Sequence, residues 1–272
     1  MHTTRSQRWR ERRAIYVPNG TLIDARRYTV DRIEAAVARR FIADHHYLQS
    51  FPASHFCAGL FGPGRGGGSE LAGVAVFAVP SNDDVITAHT GSANARQGSL
   101  LARFCLTDAV PGMGETFTLA RAMRLLRVAK PEIDAVVSYS DPLRFHIGEC
   151  YKGLSGAYRG RSRPRSEHLI DGRTINGRTL SKIRSGERGA DGAIDQIVRL
   201  GAPPPRPCED PAEWLMRLQR ERVLQRRTHP GLFTYCFELT RRARKLGRTL
   251  PRLPYPTVLD LPQPELPLPL AA

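Results

Sequence analysis

Residues 138–151 read SYSDPLRFHIGECY, and they follow the apolar run IDAVV. Side chains alternate along a strand, so Ala135, Val137, Tyr139 and Asp141 share one face while Val136, Ser138 and Ser140 share the other. An acid then stands at the carboxyl end of a strand, where open sheets with helical crossovers bind their ligands. A carboxylate in that position can accept a proton from a reacting group. His146 and Tyr151, just beyond Pro142, add a second titratable group and a phenol. The competing reading is structural, because Asp-Pro commonly opens a turn that the acid caps.

Arg103 is a second candidate. It interrupts a strand whose other residues, Leu100, Leu101, Ala102, Phe104, Cys105 and Leu106, are apolar, and a buried guanidinium needs a partner. That partner is either a structural acid or a bound anion. His45 and His46 end a helical stripe and lead into Tyr47, supplying a third place for acid–base chemistry. The loop PGMGETFT follows a strand and opens a helix. There the free N–H groups around Gly112, Gly114 and Thr116 could hold a phosphate. Arg159, Arg161, Arg163 and Arg165 alternate in a run that suits phosphate contacts along a groove, or else a solvated basic loop.

The elements that would position these groups follow from periodicity. From Thr29 as N-cap, VDRIEAAVARRFIADHHY places Ile33, Val37 and Phe41 on one helical face, with Ala36 beside them. HFCAGLF (55–61) and LAGVAVFAVP (71–80) read as a hairpin joined by a glycine-rich loop, and no Lys-Ser/Thr follows that would make the loop a phosphate binder. A strand at 99–108 precedes a helix striped by Leu119, Ala122, Met123 and Leu126, which Pro131 ends, and a fourth strand reaches Asp141. The sequence thus predicts an α/β or α+β domain over 15–200 after a basic arm over 1–14. GAPPPRPCEDP reads as a linker to an Arg-rich helical extension over 201–250, with helices opening at Asp210-Pro211 and over 232–247. In this reading Trp214, Leu215 and Leu218 form the buried face of the first helix, while Arg217 belongs to its basic exterior. A Pro-rich tail over 251–272 reads as extended.

With 41 Lys+Arg against 26 Asp+Glu, the formal charge of +15 makes nucleic acid the leading partner. Five cysteines without CxxC spacing fit a reducing compartment, and no stretch approaches the length of a membrane span, so the chain is expected in the cytoplasm, in the host cell if phage-encoded.

The strand, glycine loop and helix over 99–131 resemble the acyl-coenzyme A site of the GNAT acyltransferases, except that Glu115 stands at the helix start and the full glycine and basic pattern is missing. Several segments together resemble the Mom family of phage DNA-modification proteins, itself GNAT-like. These are HHYLQSFPASHFCAGLF with His46 and Tyr47, ELAGVAVFAVPSN, LLARFCLTD with Arg103, and VVSYSDP followed by HIGECYKGLSGAYRGRSRPR, over roughly 40–190. The resemblance implies a GNAT-like mixed central sheet flanked by helices. It also implies transfer of a carbamoylmethyl group to N6 of adenine in double-stranded DNA, which blocks restriction. The expected catalytic set is His46, Tyr47, Arg103, Tyr139, Asp141 and Tyr151. The donor would be acetyl-coenzyme A or another acyl carrier, and the C-terminal helices are left to bind DNA, a carrier RNA or another chain. Iron has been suggested for the family, with His46, Asp141 and His146 as candidate ligands, although this sequence shows neither HExxH nor a two-His-plus-acid spacing. Two other classes compete: an N-acyltransferase acting on a small amine or protein, and a non-catalytic DNA-binding accessory.

Overall fold

The computed structural model describes residues 5–10, 13–18, 21–48, 50–64 and 66–262. The chain forms two compact units, Met1–Ser162 with Leu232–Ala272, and Arg163–Gly231. The first five strands are β1 (Arg5–Arg10), β2 (Arg13–Pro18), β3 (Thr29–Arg32), β4 (Ser54–Pro63) and β5 (Ser69–Ala78), with helices α1 (Ala35–His45) and α2 (Asp84–Thr90). β6 (Gly98–Leu106), α3 (Gly114–Ala129), β7 (Ala135–Ser140), α4 (Glu149–Gly153) and β8 (Ala157–Arg161) follow. The second unit holds β9 (Arg165–Ile170), β10 (Arg173–Ile175), α5 (Gly177–Ser185), α6 (Ala190–Arg199), α7 (Pro211–Arg220) and β11 (Gln225–His229). The chain then returns to the first unit as β12 (Phe233–Glu238) and α8 (Arg241–Gly247).

The central sheet runs β3-β4-β5-β6-β7-β12-β8, antiparallel throughout except for the parallel β6–β7 pair. This is a mixed α/β fold with helices on both faces of the sheet. Period-2 alternation explains the two cores. Phe56, Ala58 and Leu60 of β4 point to the face covered by Leu119, Ala122 and Leu126 of α3, whereas Cys57 points to Ala38, Phe41 and Ile42 of α1. Each fully buried side chain of this kind, such as Phe77 or Leu119, contributes about 1.5–3 kcal/mol.

Four expectations need correction. The helix anticipated from Val30 starts only at Ala35, because Thr29–Arg32 pairs with Ala58–Phe61 of β4, and its buried face is Ala38, Phe41 and Ile42 while Val37 is exposed. LFTYCFELTRRARKLG is not one helix: Phe233–Glu238 is the strand between β7 and β8, its aromatic residues alternating with Thr234 and Cys236, and only Arg241–Gly247 is helical. The proline stretch is packed rather than free, since Trp214 Nε1 donates to Pro203 O (3.0 Å) and Arg217 Nη2 to Pro204 O (3.2 Å). Arg217 belongs to the interior of the second unit, where it grips Glu209 at 2.7 and 2.8 Å. The expected helix start at Asp210 is present, its carboxylate accepting from Ala212 N and Glu213 N, and Trp214, Leu215 and Leu218 are buried.

The units divide at Ser162/Arg163 and Gly231/Leu232 rather than after residue 200. Of the basic arm, Arg5–Arg10 pairs antiparallel with Arg13–Pro18, while residues 1–4 and 11–12 and, in the proline tail, 263–272 lie outside the described residues. In the second unit β9 is flanked antiparallel by β10 and β11, over a core of Ile170, Ile183, Ile197, Trp214 and Leu218.

The second unit is inserted at one point in the chain of the first. Ser162 N donates to Leu232 O (2.8 Å) and Leu232 N to Ser162 Oγ (2.8 Å), so the two ends of the first unit already meet. Replacing residues 163–231 with a short Gly-Ser linker is therefore expected to leave a first unit that melts cooperatively by circular dichroism. Stopping the chain after residue 231 removes β12 from mid-sheet and should leave no cooperative transition. Loss of cooperativity in the linkered chain would show that the first unit depends on the second.

Candidate active site

β6 and β7 run together for four residues only, from Gly98 opposite Ala135 to Leu101 opposite Ser138. At the point of parting, β6 carries a bulge: Val76 of β5 faces Arg103 and Phe77 faces Leu101, so Ala102 is an extra residue. Leu101 joins the core on the α3 side. Arg103, beyond the bulge, turns to the α1 side and donates Nε to Ser50 O (2.9 Å), Nη2 to Ser50 Oγ (2.9 Å) and Nη1 to Ala102 O (2.6 Å). Its partners are thus a hydroxyl and carbonyls. Among the described residues it forms no ion pair.

The end of α1 lies against the same strand, with Cys105 Sγ 3.3 Å from His45 O. His46 is buried, and its Nδ1 accepts the Leu48 N–H (3.1 Å). That bond leaves the ring proton on Nε2. Desolvation lowers His46 from 6.5 to about 3, with Arg103, His146 and Arg144 adding in the same direction, so His46 is a neutral N–H donor near neutral pH. Tyr47 stacks on it at 4.4 Å, lies 6.3 Å from the His146 ring, and has the Arg144 guanidinium 5.1 Å from its ring centre.

Asp141 ends β7 and does cap the next turn, Oδ1 accepting from Leu143 N (2.8 Å). It also faces His146, where burial lowers the pKa, Asp141 opposes that shift and Arg144 adds to it. Although part of the His146 surface is open to solvent, the net direction is downward. Tyr151 is buried edge-on to Phe237 (5.7 Å), and desolvation drives its phenol upward, with Tyr47 close enough to add to the shift. Tyr235 donates to Ile147 O and fixes the loop between Asp141 and Tyr151. A Cβ on Gly148 (φ +78°) would stand 2.6 Å from the Tyr235 ring, so this approach requires glycine.

The structure therefore brings together His46, Tyr47, Arg103, Asp141, His146 and Tyr151, and adds Arg144, whose position in a turn gave no sequence signal. Tyr139 lies on the Ala135 face, which packs on Cys236 and Ala243, and no hydrogen bond or ring contact joins it to the cluster among the described residues. Ser138 and Ser140, on the other face, are buried without a partner in hydrogen-bond geometry. Each nonetheless lies near enough to Tyr151 or Tyr235 to restrain that phenol's upward shift.

Two amides of the glycine loop are used internally. Gly112 N donates to Thr21 O (2.8 Å) and Gly114 N to Pro111 O (3.2 Å), while the Thr116 hydroxyl turns back to Met113 O (2.9 Å). Arg159 does not reach solvent as a phosphate contact would require. Its side chain is 3% exposed and pairs with Glu238 at 2.8 Å. Arg161 stands over the Phe233 ring (5.1 Å), Arg163 is exposed, and Arg165 bonds Glu167 (3.0 Å). Among the described residues no group of three His, Cys, Asp or Glu side chains is placed to hold a metal ion. A cavity of about 680 Å³ in the second unit, lined by Ser166, His168, Gln219, Arg222 and Arg226, contains none of the expected catalytic residues.

The fold and site define a mixed α/β protein with a polar cluster gathered where two parallel central strands part. The chain belongs to the Mom protein family, whose model matches residues 27–201. No curated protein matches it. Membership suggests phage DNA modification, a transferase activity in general, with DNA as substrate. Among the described residues no helix is long and apolar enough to cross a membrane.

The buried histidine has a measurable consequence. In the unfolded chain His46 takes up a proton near 6.5, whereas folded it resists down to about 3. Between those values the unfolded state binds more protons, so this contribution to stability is complete above 6.5 and is lost as pH falls toward 3. The melting temperature of the wild type should fall from pH 7 to pH 4 more steeply than that of His46→Gln. Parallel curves would show that His46 is not buried neutral.

Proposed function

We propose that the chain transfers a carbamoylmethyl-type group to N6 of an adenine extruded from double-stranded DNA, protecting that DNA from restriction. The observation that carries the reading is the gathering of His46, Tyr47, Arg103, Asp141 and Tyr151 around the parting of β6 and β7, in a chain of the Mom family. N6 is a poor nucleophile because its lone pair is delocalised into the ring, so its proton must leave as the bond to carbon forms. Asp141 takes that proton. The donor's bond to its leaving group breaks as N6–C forms, and the leaving group departs with the electron pair.

His46 cannot compete as the base, because one ring nitrogen is engaged and burial opposes its charging. Its Nε2–H instead donates to the base edge or the departing group. Arg103 and Arg144 give the cluster a positive flank for an anionic group of the donor. His46 covers one face of Tyr47 and Arg144 stands over the ring, so the role left to Tyr47 is hydrogen bonding rather than stacking. Tyr151, held protonated by burial, is a donor. The N-acyltransferase reading draws less support, since Gly112 and Gly114 spend their amides on Thr21 and Pro111 rather than on a coenzyme phosphate.

Mass spectrometry of nucleosides from plasmid DNA co-expressed with the protein should reveal a heavier deoxyadenosine. Asp141→Asn preserves an oxygen to cap Leu143 but not the base, and should cut product at least tenfold, about 1.4 kcal/mol, at unchanged melting temperature. Full activity in that variant would reduce Asp141 to a turn cap. Unaltered deoxyadenosine from well-expressed wild type would favour the accessory reading.

A further inference from the structure

Residues 241–252 read RRARKLGRTLPR, with six cations and no acid. In α8 the buried positions are Ala243 and Gly247, so at about 100° per residue Arg241, Arg244, Lys245 and Arg248 share an outward arc of about 100°. All four are exposed, as is Arg252. Arg242 points elsewhere, to Gln97 (2.9 Å) and Asp134 (3.7 Å). Among the described residues none of the other five cations pairs with an acid.

The nearby acid is already committed. Glu238 is held by Arg159, whose guanidinium also donates to the carbonyls of Gly247 (3.2 Å), Leu250 (3.3 Å) and Pro251 (2.9 Å). Arg159 thereby satisfies carbonyls at the end of α8 and fixes the segment to the sheet, so the outward arginines are not needed to cap the helix. A Cβ on Gly247 would stand 2.0 Å from Glu238 Oε1 and 2.9 Å from Arg159 Nη2, which shows how closely the clamp is fitted. Beside it lies a cleft of about 630 Å³ with Met123, Phe237 and Leu239 among its apolar walls and Arg244, Arg248 and Arg252 among its cations. Phe237 also packs against Tyr151, so this surface and the candidate site share a wall.

We propose that Arg244, Arg248 and Arg252, flanked by Arg241 and Lys245, receive the phosphodiester backbone of duplex DNA. The assignment rests on the reading of DNA as substrate. A free phosphoanion has the same chemistry, but the line of cations continues past the cleft to Arg241 and Lys245, as a strand of successive phosphates would use. It replaces Arg159 as a DNA contact and makes that residue the support of those that touch DNA.

Fluorescence anisotropy of the full chain with a mixed-sequence duplex, over a series of KCl concentrations, tests the surface. Arg244→Gln/Arg248→Gln/Arg252→Gln should weaken binding and flatten the slope of log K against log salt by about 0.9 for each phosphate no longer neutralised, up to about 2.7, with an unchanged melting temperature. Equal slopes in wild type and variant would overturn the surface while leaving the DNA reading intact. Displacement of the duplex by micromolar inorganic pyrophosphate would assign the cleft to a free phosphoanion instead. Wild type that holds no duplex even at low salt would sink both the surface and the DNA reading.

Discussion

The pairing of β12 with β7, Phe233 opposite Ser140 through Glu238 opposite Ala135, is the constraint on which the rest of the first unit depends. Without it β7 would be an edge strand, and the loop between Asp141 and Tyr151 would lose its anchor on Tyr235. With it, three side chains of one short strand reach three different features. Tyr235 anchors the loop through Ile147 O, Phe237 backs Tyr151, and Glu238 neutralises Arg159. A strand buried on both edges and both faces can present an acid at its end in one fixed position. Catalytic geometry requires that fixity, since small displacements of a reacting group are costly.

The electrostatics of the cluster follow from the same packing. Desolvation makes a second cation expensive wherever Arg103 and Arg144 already stand, and the histidines yield by remaining neutral. Arg103 keeps its charge because the bulge at Ala102 delivers it to Ser50, whose carbonyl and hydroxyl supply acceptors without adding an anion. Had an acid been its partner, the positive field over the cluster would be cancelled internally. Neutral acceptors orient the guanidinium and leave its charge to act on a ligand.

Much of this was legible in sequence where the signal is local. The hairpin of β4 and β5, β6, the stripe of α3 and the strand ending at Asp141 are runs whose pattern and partners lie close in the chain. The residues of the candidate cluster stood out because His, Tyr, Asp and Arg conflict with their apolar surroundings. Two kinds of feature were not legible. LFTYCFE has apolar spacing that suits helix or strand, and its choice is made by β7 and β8, from which the second unit separates it in the chain. Thr29–Arg32 was likewise decided by β4 rather than by its resemblance to a helix cap. Arg144 could not be distinguished from any arginine in a turn until the fold set it over Tyr47.

The chain's arginines illustrate the second kind most clearly. A formal charge of +15 invites the view that basic residues form one diffuse attractive surface. Yet Arg159 and Arg217 are interior groups, each gripping a glutamate and nearby backbone carbonyls, and their charge is spent on order. Removing the acid alone would strand a buried guanidinium, a larger loss than the pair itself contributes. The residues that can act on a polyanion are the ones left unpaired outside these clamps. At α8 the two classes meet: a single buried arginine, neutralised by Glu238, holds in place a helix whose outward cations pair with no acid among the described residues. Net charge thus indicates that a partner is attracted, and only the distribution of acids decides where it is received.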